Sequence, residues 1–94
     1  MILERAELNA KEGMITEFVA AMGSKGADLL RKIPGCHGVR VGGGVENPNK
    51  LILLVDWESL EAHDAFKKMP EYIELAKILG PYAAGGGAEH FTMV

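Results

Sequence analysis

Apolar residues along the chain recur at two different periods, and the switches between them predict the order of elements. Met1 to Leu8 reads as a strand with imperfect alternation. From Lys11 to Ile33 the period lengthens: Ile15, Phe18, Val19, Met22, Leu29, Leu30 and Ile33 follow steps of three and four, with Gly26 filling a gap in the stripe. That is one face of a helix. Gly23 and Gly26 each cost about 1 kcal/mol relative to Ala in a helix interior, so a close backbone approach at Gly26 is expected. Pro34 and Gly35 end the segment. Val39 to Val45 is a second strand, with a bulge or bend expected at Gly42, Gly43 and Gly44. Glu46 to Asn49 make the turn, and Lys50 to Glu58 return as its hairpin partner. Ser59 caps a short helix with Glu61 in its first turn and Lys67 and Lys68 at its end. Pro70 opens another helix, Glu71 to Leu79, stopped by Gly80 and Pro81. Gly85 to Gly87 read as a bend before a last strand, Ala88 to Val94.

This order, βαββαβ, predicts the α+β class: a ferredoxin-like sandwich with an antiparallel sheet and its helices on one face, in one domain spanning residues 1–94. The third strand complicates it. In "LILLVDW", Leu51, Leu53, Val55 and Trp57 point one way while Ile52 and Leu54 point the other, so both faces are apolar. Helices cover one face. Exposing the other would forgo roughly 1.5 to 3 kcal/mol per large side chain, a sizeable part of the 5 to 15 kcal/mol that stabilises a typical domain. A second copy of the sheet is the simplest cover, which predicts a homodimer, an α+β barrel, with a partly apolar cavity in or beside each sheet.

Composition narrows the function classes. A chain of 94 residues buries only roughly 60 to 65% of its unfolded surface, which adds weight to a dimer. Net charge is -3 and the basic residues are scattered, which argues against nucleic acid. The start "MILERAEL" lacks a signal peptide's apolar stretch, and no apolar run exceeds the five residues of Leu51 to Val55; no membrane contact and a cytoplasmic location are expected. Cys36 is the single cysteine, so internal disulfides and paired-cysteine metal motifs are excluded.

The segments "EGMITEF", "PGCHGVRV", "LLVDWESLEAHDAF" and "AEHFTMV" together resemble the antibiotic biosynthesis monooxygenase domain family, within the dimeric α+β barrel superfamily. The resemblance spans essentially the whole chain. It implies a homodimer with a ligand pocket in each subunit and, in oxygenase members, oxidation of phenols or hydroquinones to quinones by molecular oxygen without metal or flavin. Relatives degrade haem, isomerise or hydrolyse small metabolites. Haem degradation relies on an Asn of the first strand and a His of the third helix; Ala6 and Ala76 stand near those positions here, which disfavours it. An Asn of the third strand found in oxygenases is replaced by Leu53.

Cofactor-free oxidation needs a base for the phenol, a dry pocket with an aromatic wall, and access for oxygen. His63 is the candidate base, since an imidazole with an ordinary pKa of about 6.5 suits a phenol. On the short helix it also reads as an exposed or structurally bonded histidine. Trp57 matches the family's aromatic position and is either the wall or a large buried residue satisfied by one hydrogen bond. His90 and Phe91 alternate, so only one lines a given cavity. Tyr72 and Tyr82 are candidate donors to a ligand, and their ring burial explains them equally. His37, His63 and His90 lack metal-motif spacing, and the glycine runs lack a phosphate-loop arrangement; no metal or cofactor is expected. Two functions remain: a cofactor-independent monooxygenase, or a non-catalytic dimeric module that binds a small aromatic or apolar metabolite.

Overall fold

The inward row of the third strand organises the sheet. In the computed structural model, which describes residues 1–94, the strands are β1 (Ile2–Ala10), β2 (Cys36–Gly43), β3 (Lys50–Trp57) and β4 (Ala83–Thr92). They form one antiparallel sheet in the order β2-β3-β1-β4. Leu51, Leu53, Val55 and Trp57 are buried at 0 to 5% exposure, whereas Ile52 and Leu54 on the other face are half-buried. The expected fold, an α+β ferredoxin-like sandwich, is therefore present, with all helices against one face.

The helices are α1 (Ile15–Ala21), a π-helical turn (Met22–Gly26) and α2 (Ala27–Arg31), which run on as one rod, then α3 (Leu60–Phe66) and α4 (Pro70–Leu79). Phe18, Met22, Leu30 and Ile33 of the predicted stripe are buried in the core, and Ala27, outside that stripe, joins them. The close approach at Gly26 comes from within the rod: a Cβ there would lie 2.7 Å from the Sδ of Met22, one turn earlier. The wider π turn and the absent Cβ together let that thioether lie flat against the core. The rod starts at Ile15 and not Lys11, because the Lys11 N–H donates to the carbonyl of Tyr82 (2.7 Å) and a turn intervenes.

Two expectations about glycines change. Gly42 and Gly43 pair regularly with Ile52 and Leu51, and the register shift of this hairpin falls instead between Cys36 and Gly38. The chain bends after Gly44, over residues 45–49, and the Gly44 N–H donates to the Lys50 carbonyl (2.7 Å) to close the turn. Gly85 to Gly87 are not a bend before the last strand but part of β4, paired with Asn9, Leu8 and Glu7. At Gly86, with φ 155°, a Cβ would collide with the Glu7 carbonyl oxygen, so the glycine permits β1 and β4 to come together. No helix is long and apolar enough to cross a membrane.

Replacing Gly86 with Ala imposes that collision and an unfavourable φ together. The variant is expected to lose about 1 to 3 kcal/mol, seen as a lower urea midpoint at unchanged denaturant slope.

Candidate active site

Strand register assembles the polar centre. Glu4 of β1 stands opposite Val55 of β3 on one side and His90 of β4 on the other, and all three face the helices. Ser59 then fixes the helix above them: its hydroxyl accepts the Ala62 N–H (3.1 Å), starting α3 so that His63 hangs over the row. The result is three functional groups from three elements, gathered where the sheet's inner face meets α3.

Glu4 is held from behind. The indole Nε1–H of fully buried Trp57 donates to Glu4 Oε1 at 2.9 Å, and His63 Nε2 lies 3.5 Å from the same oxygen. The side chains of His63 and Glu4 are 8% and 14% exposed. A carboxylate in so dry a place is costly unless its oxygens are engaged, and the indole supplies one such bond. The His63 ring packs 4.5 Å from that of His90 and 5.3 Å from that of Trp57, centre to centre. Burial lowers the His63 pKa below its ordinary value; the negative Glu4 works in the opposite sense, and His90 adds to the lowering. Desolvation wins, so His63 is a neutral imidazole at neutral pH and has one nitrogen free to accept a proton.

These groups open onto a cavity of about 250 Å³ between the sheet and α2, α3 and α4. Leu30, Leu53, Val55, Phe66 and Leu75 give it apolar walls, while Glu4, His63, Lys67, Tyr72, Ala88 and His90 complete the lining. Tyr72 stands edge-on to Phe66 at 5.3 Å. Four of the six residues expected from sequence are thus gathered here. His63, His90 and Tyr72 line the cavity, and Trp57 lies behind Glu4 and His63, also packing on Phe66 at 5.7 Å. Tyr82 stacks on Phe18 at 6.1 Å beside a separate surface hollow between α1 and α4, and Phe91 emerges on the opposite sheet face, 41% exposed. His37 stands apart, its Nε2 3.6 Å from Glu58 Oε1.

Sequence reasoning missed Glu4 and Lys67. The signal for Glu4 was available: Ile2, Glu4, Ala6 and Leu8 share one strand face, and a carboxylate on an inward face needs a reason. Leu53 makes part of the wall apolar. Glu4, His63 and His90 also offer one ligand atom each within 4.8 Å of one another.

Comparison with known proteins agrees with this architecture. The sequence model of a family described as "Antibiotic biosynthesis monooxygenase" matches residues 1–77. An uncharacterized protein of Bacillus subtilis (strain 168), YczJ, is 33% identical over 96 residues, covering 100% of both chains. Among solved structures, a Bordetella bronchiseptica protein assigned to the antibiotic biosynthesis monooxygenases superposes with a TM-score of 0.91 at 28% identity, over 99% of this chain and 96% of the other. A variant of SnoaB, a cofactor-independent oxygenase from Streptomyces nogalater, shares the fold with a TM-score of 0.82 at 15% identity, over 98% and 91% of the two chains.

The lowered His63 pKa has a consequence for stability. The unfolded chain protonates this residue near pH 6.5 while the folded one resists, so between the folded value and about 6.5 the unfolded state binds more protons and stability rises with pH. Urea midpoints are expected to fall as pH drops below about 6.5, and to fall less in a His63→Gln variant. Glu7, whose pKa is lowered by Arg5 and then Lys50, acts in a separate and more acidic range.

Proposed function

The chain belongs to the antibiotic biosynthesis monooxygenase family, and from that membership we propose that it is a cofactor-independent monooxygenase, acting as a homodimer on a small phenolic or hydroquinone metabolite. The observation that carries this reading is His63, a neutral, buried imidazole lining an apolar cavity between a carboxylate and a second imidazole. A cavity of about 250 Å³ falls below the usual range of roughly 300 to 1,000 Å³ for drug-sized ligands, which favours a substrate of one or two rings.

In the proposed course a ligand hydroxyl meets His63, with Tyr72 and His90 beside it and Trp57 holding Glu4 in place behind. His63 takes the phenolic proton, Glu4 offsets the resulting imidazolium charge, and the apolar walls exclude water from the phenolate. The electron-rich ring then reduces molecular oxygen. For a phenol with an unsubstituted para carbon, one oxygen atom becomes the new quinone carbonyl and the other leaves as water with the two hydrogens the substrate gives up. The substrate supplies the electrons, so the balance closes without a further reductant.

The homodimer rests on the other sheet face. Leu3, Ile52 and Leu54 are half-buried there and Phe91 is exposed, interleaved with an Arg5–Glu7 ion pair and with Lys50, 3.5 Å from Glu7. Leu3 and Phe91 are cross-strand partners, so the apolar side chains adjoin one another. A two-fold axis over this face would cover them and set charges of opposite sign against each other.

Metal-free protein is expected to consume oxygen with a member of a panel of naphthols and hydroquinones above the spontaneous rate. His63→Ala should lower that turnover by about 10² to 10⁴-fold. No uptake with any compound would leave the alternative, a dimeric module that binds such a metabolite without turning it over. Sedimentation at micromolar concentration should show a dimer, converted by Leu54→Arg to single subunits; a stable wild-type monomer would remove the dimer.

A further inference from the structure

We propose that Glu4, His63 and His90 form a binding site for a divalent transition cation of zinc's class. The three side chains come from β1, α3 and β4, and their ligand atoms all lie within 4.8 Å of one another. Two imidazoles and one carboxylate are a donor set that zinc and its neighbours take in sites with an open fourth position. The spacing is close to what such an ion requires. Ligands at about 2.0 to 2.2 Å around a tetrahedral centre stand roughly 3.4 Å apart, and His63 Nε2 is already 3.5 Å from Glu4 Oε1.

Preorganisation favours the same conclusion. Glu4 is oriented by the Trp57 indole (2.9 Å), an outer hydrogen bond of the kind that holds metal-binding carboxylates, and it retains further lone pairs for an ion. His63 is buried on a capped helix, whereas His90 is exposed on an edge strand and has freedom to close the remaining gap. The cavity supplies an entry path and the open coordination position. Sequence spacing could not reveal the site, because its ligands meet only through strand register.

A cation here and a proton-accepting His63 exclude one another, since a neutral imidazole has a single basic nitrogen. The oxidation proposed above therefore concerns the metal-free protein, and the cation is its competitor. The cation site stands independently of that reading.

Tag-free protein stripped with EDTA would be titrated calorimetrically with zinc chloride, with cobalt(II) absorption as a second readout. One ion per chain is expected, with affinity reduced at least tenfold in His90→Ala and unchanged in His37→Ala. His90 is exposed, so its variant should keep the fold, checked by circular dichroism; His90→Asn serves if it does not. Absence of saturable zinc uptake, or uptake that survives both His90 variants, would overturn the site. The titration contains no substrate, so its failure is distinct from a failure of oxygen uptake.

Discussion

Burial of the inward row of β3 fixes the position of everything else in the molecule. Leu51, Leu53, Val55 and Trp57 cannot face the helices unless the strand keeps one register, because a slip by one residue would turn Ile52, Leu54 and Asp56 inward. That register, passed on through β1, decides which residue of β4 faces the cavity. His90 therefore stands on the helix-bearing face of the sheet, at the mouth of the cavity, and Phe91 on the opposite face. The chemistry of the site is thus set by hydrophobic contacts several residues away from it.

Against that apolar background, Glu4 is the costly element. It occupies an inward strand position where Ile2, Ala6 and Leu8 follow the ordinary rule, and it is tolerated because an indole donates to it and an imidazole faces it. Trp57 therefore serves two ends: its ring fills the core, and its one polar atom keeps a carboxylate anchored beside His63. Both proposals draw on this arrangement, since a proton and a metal ion are alternative cations for the same negative centre.

The element order and the two-faced third strand were legible in the sequence because they depend on local periodicity. The helical rod, the Ser59 cap and the β2–β3 hairpin follow from spacing of three, four or two and from turn residues. Elements that depend on contacts distant in sequence were not. The π turn answers to Met22 folding back over Gly26, and the early start of β4 answers to β1 accepting a glycine ribbon, neither of which leaves a periodic trace. The site divides the same way. His63, Tyr72, His90 and Trp57 could be singled out as residue types, but Tyr82 and Phe91 could not be set apart from them, because alternation says only that neighbours face opposite sides. Glu4 has no periodic signal within the imperfect alternation of β1, and only register places it between Val55 and His90.

The edge position of β4 has a dynamic consequence. This ribbon has a hydrogen-bonded neighbour on one side only, and its glycines at 85 to 87 offer no side chains to pin it. Its amides should exchange with solvent deuterium sooner than those of β3, which is flanked on both sides. Because His90 and Ala88 form the rim of the chamber on that same ribbon, its breathing would set the pace at which a visiting molecule enters or departs.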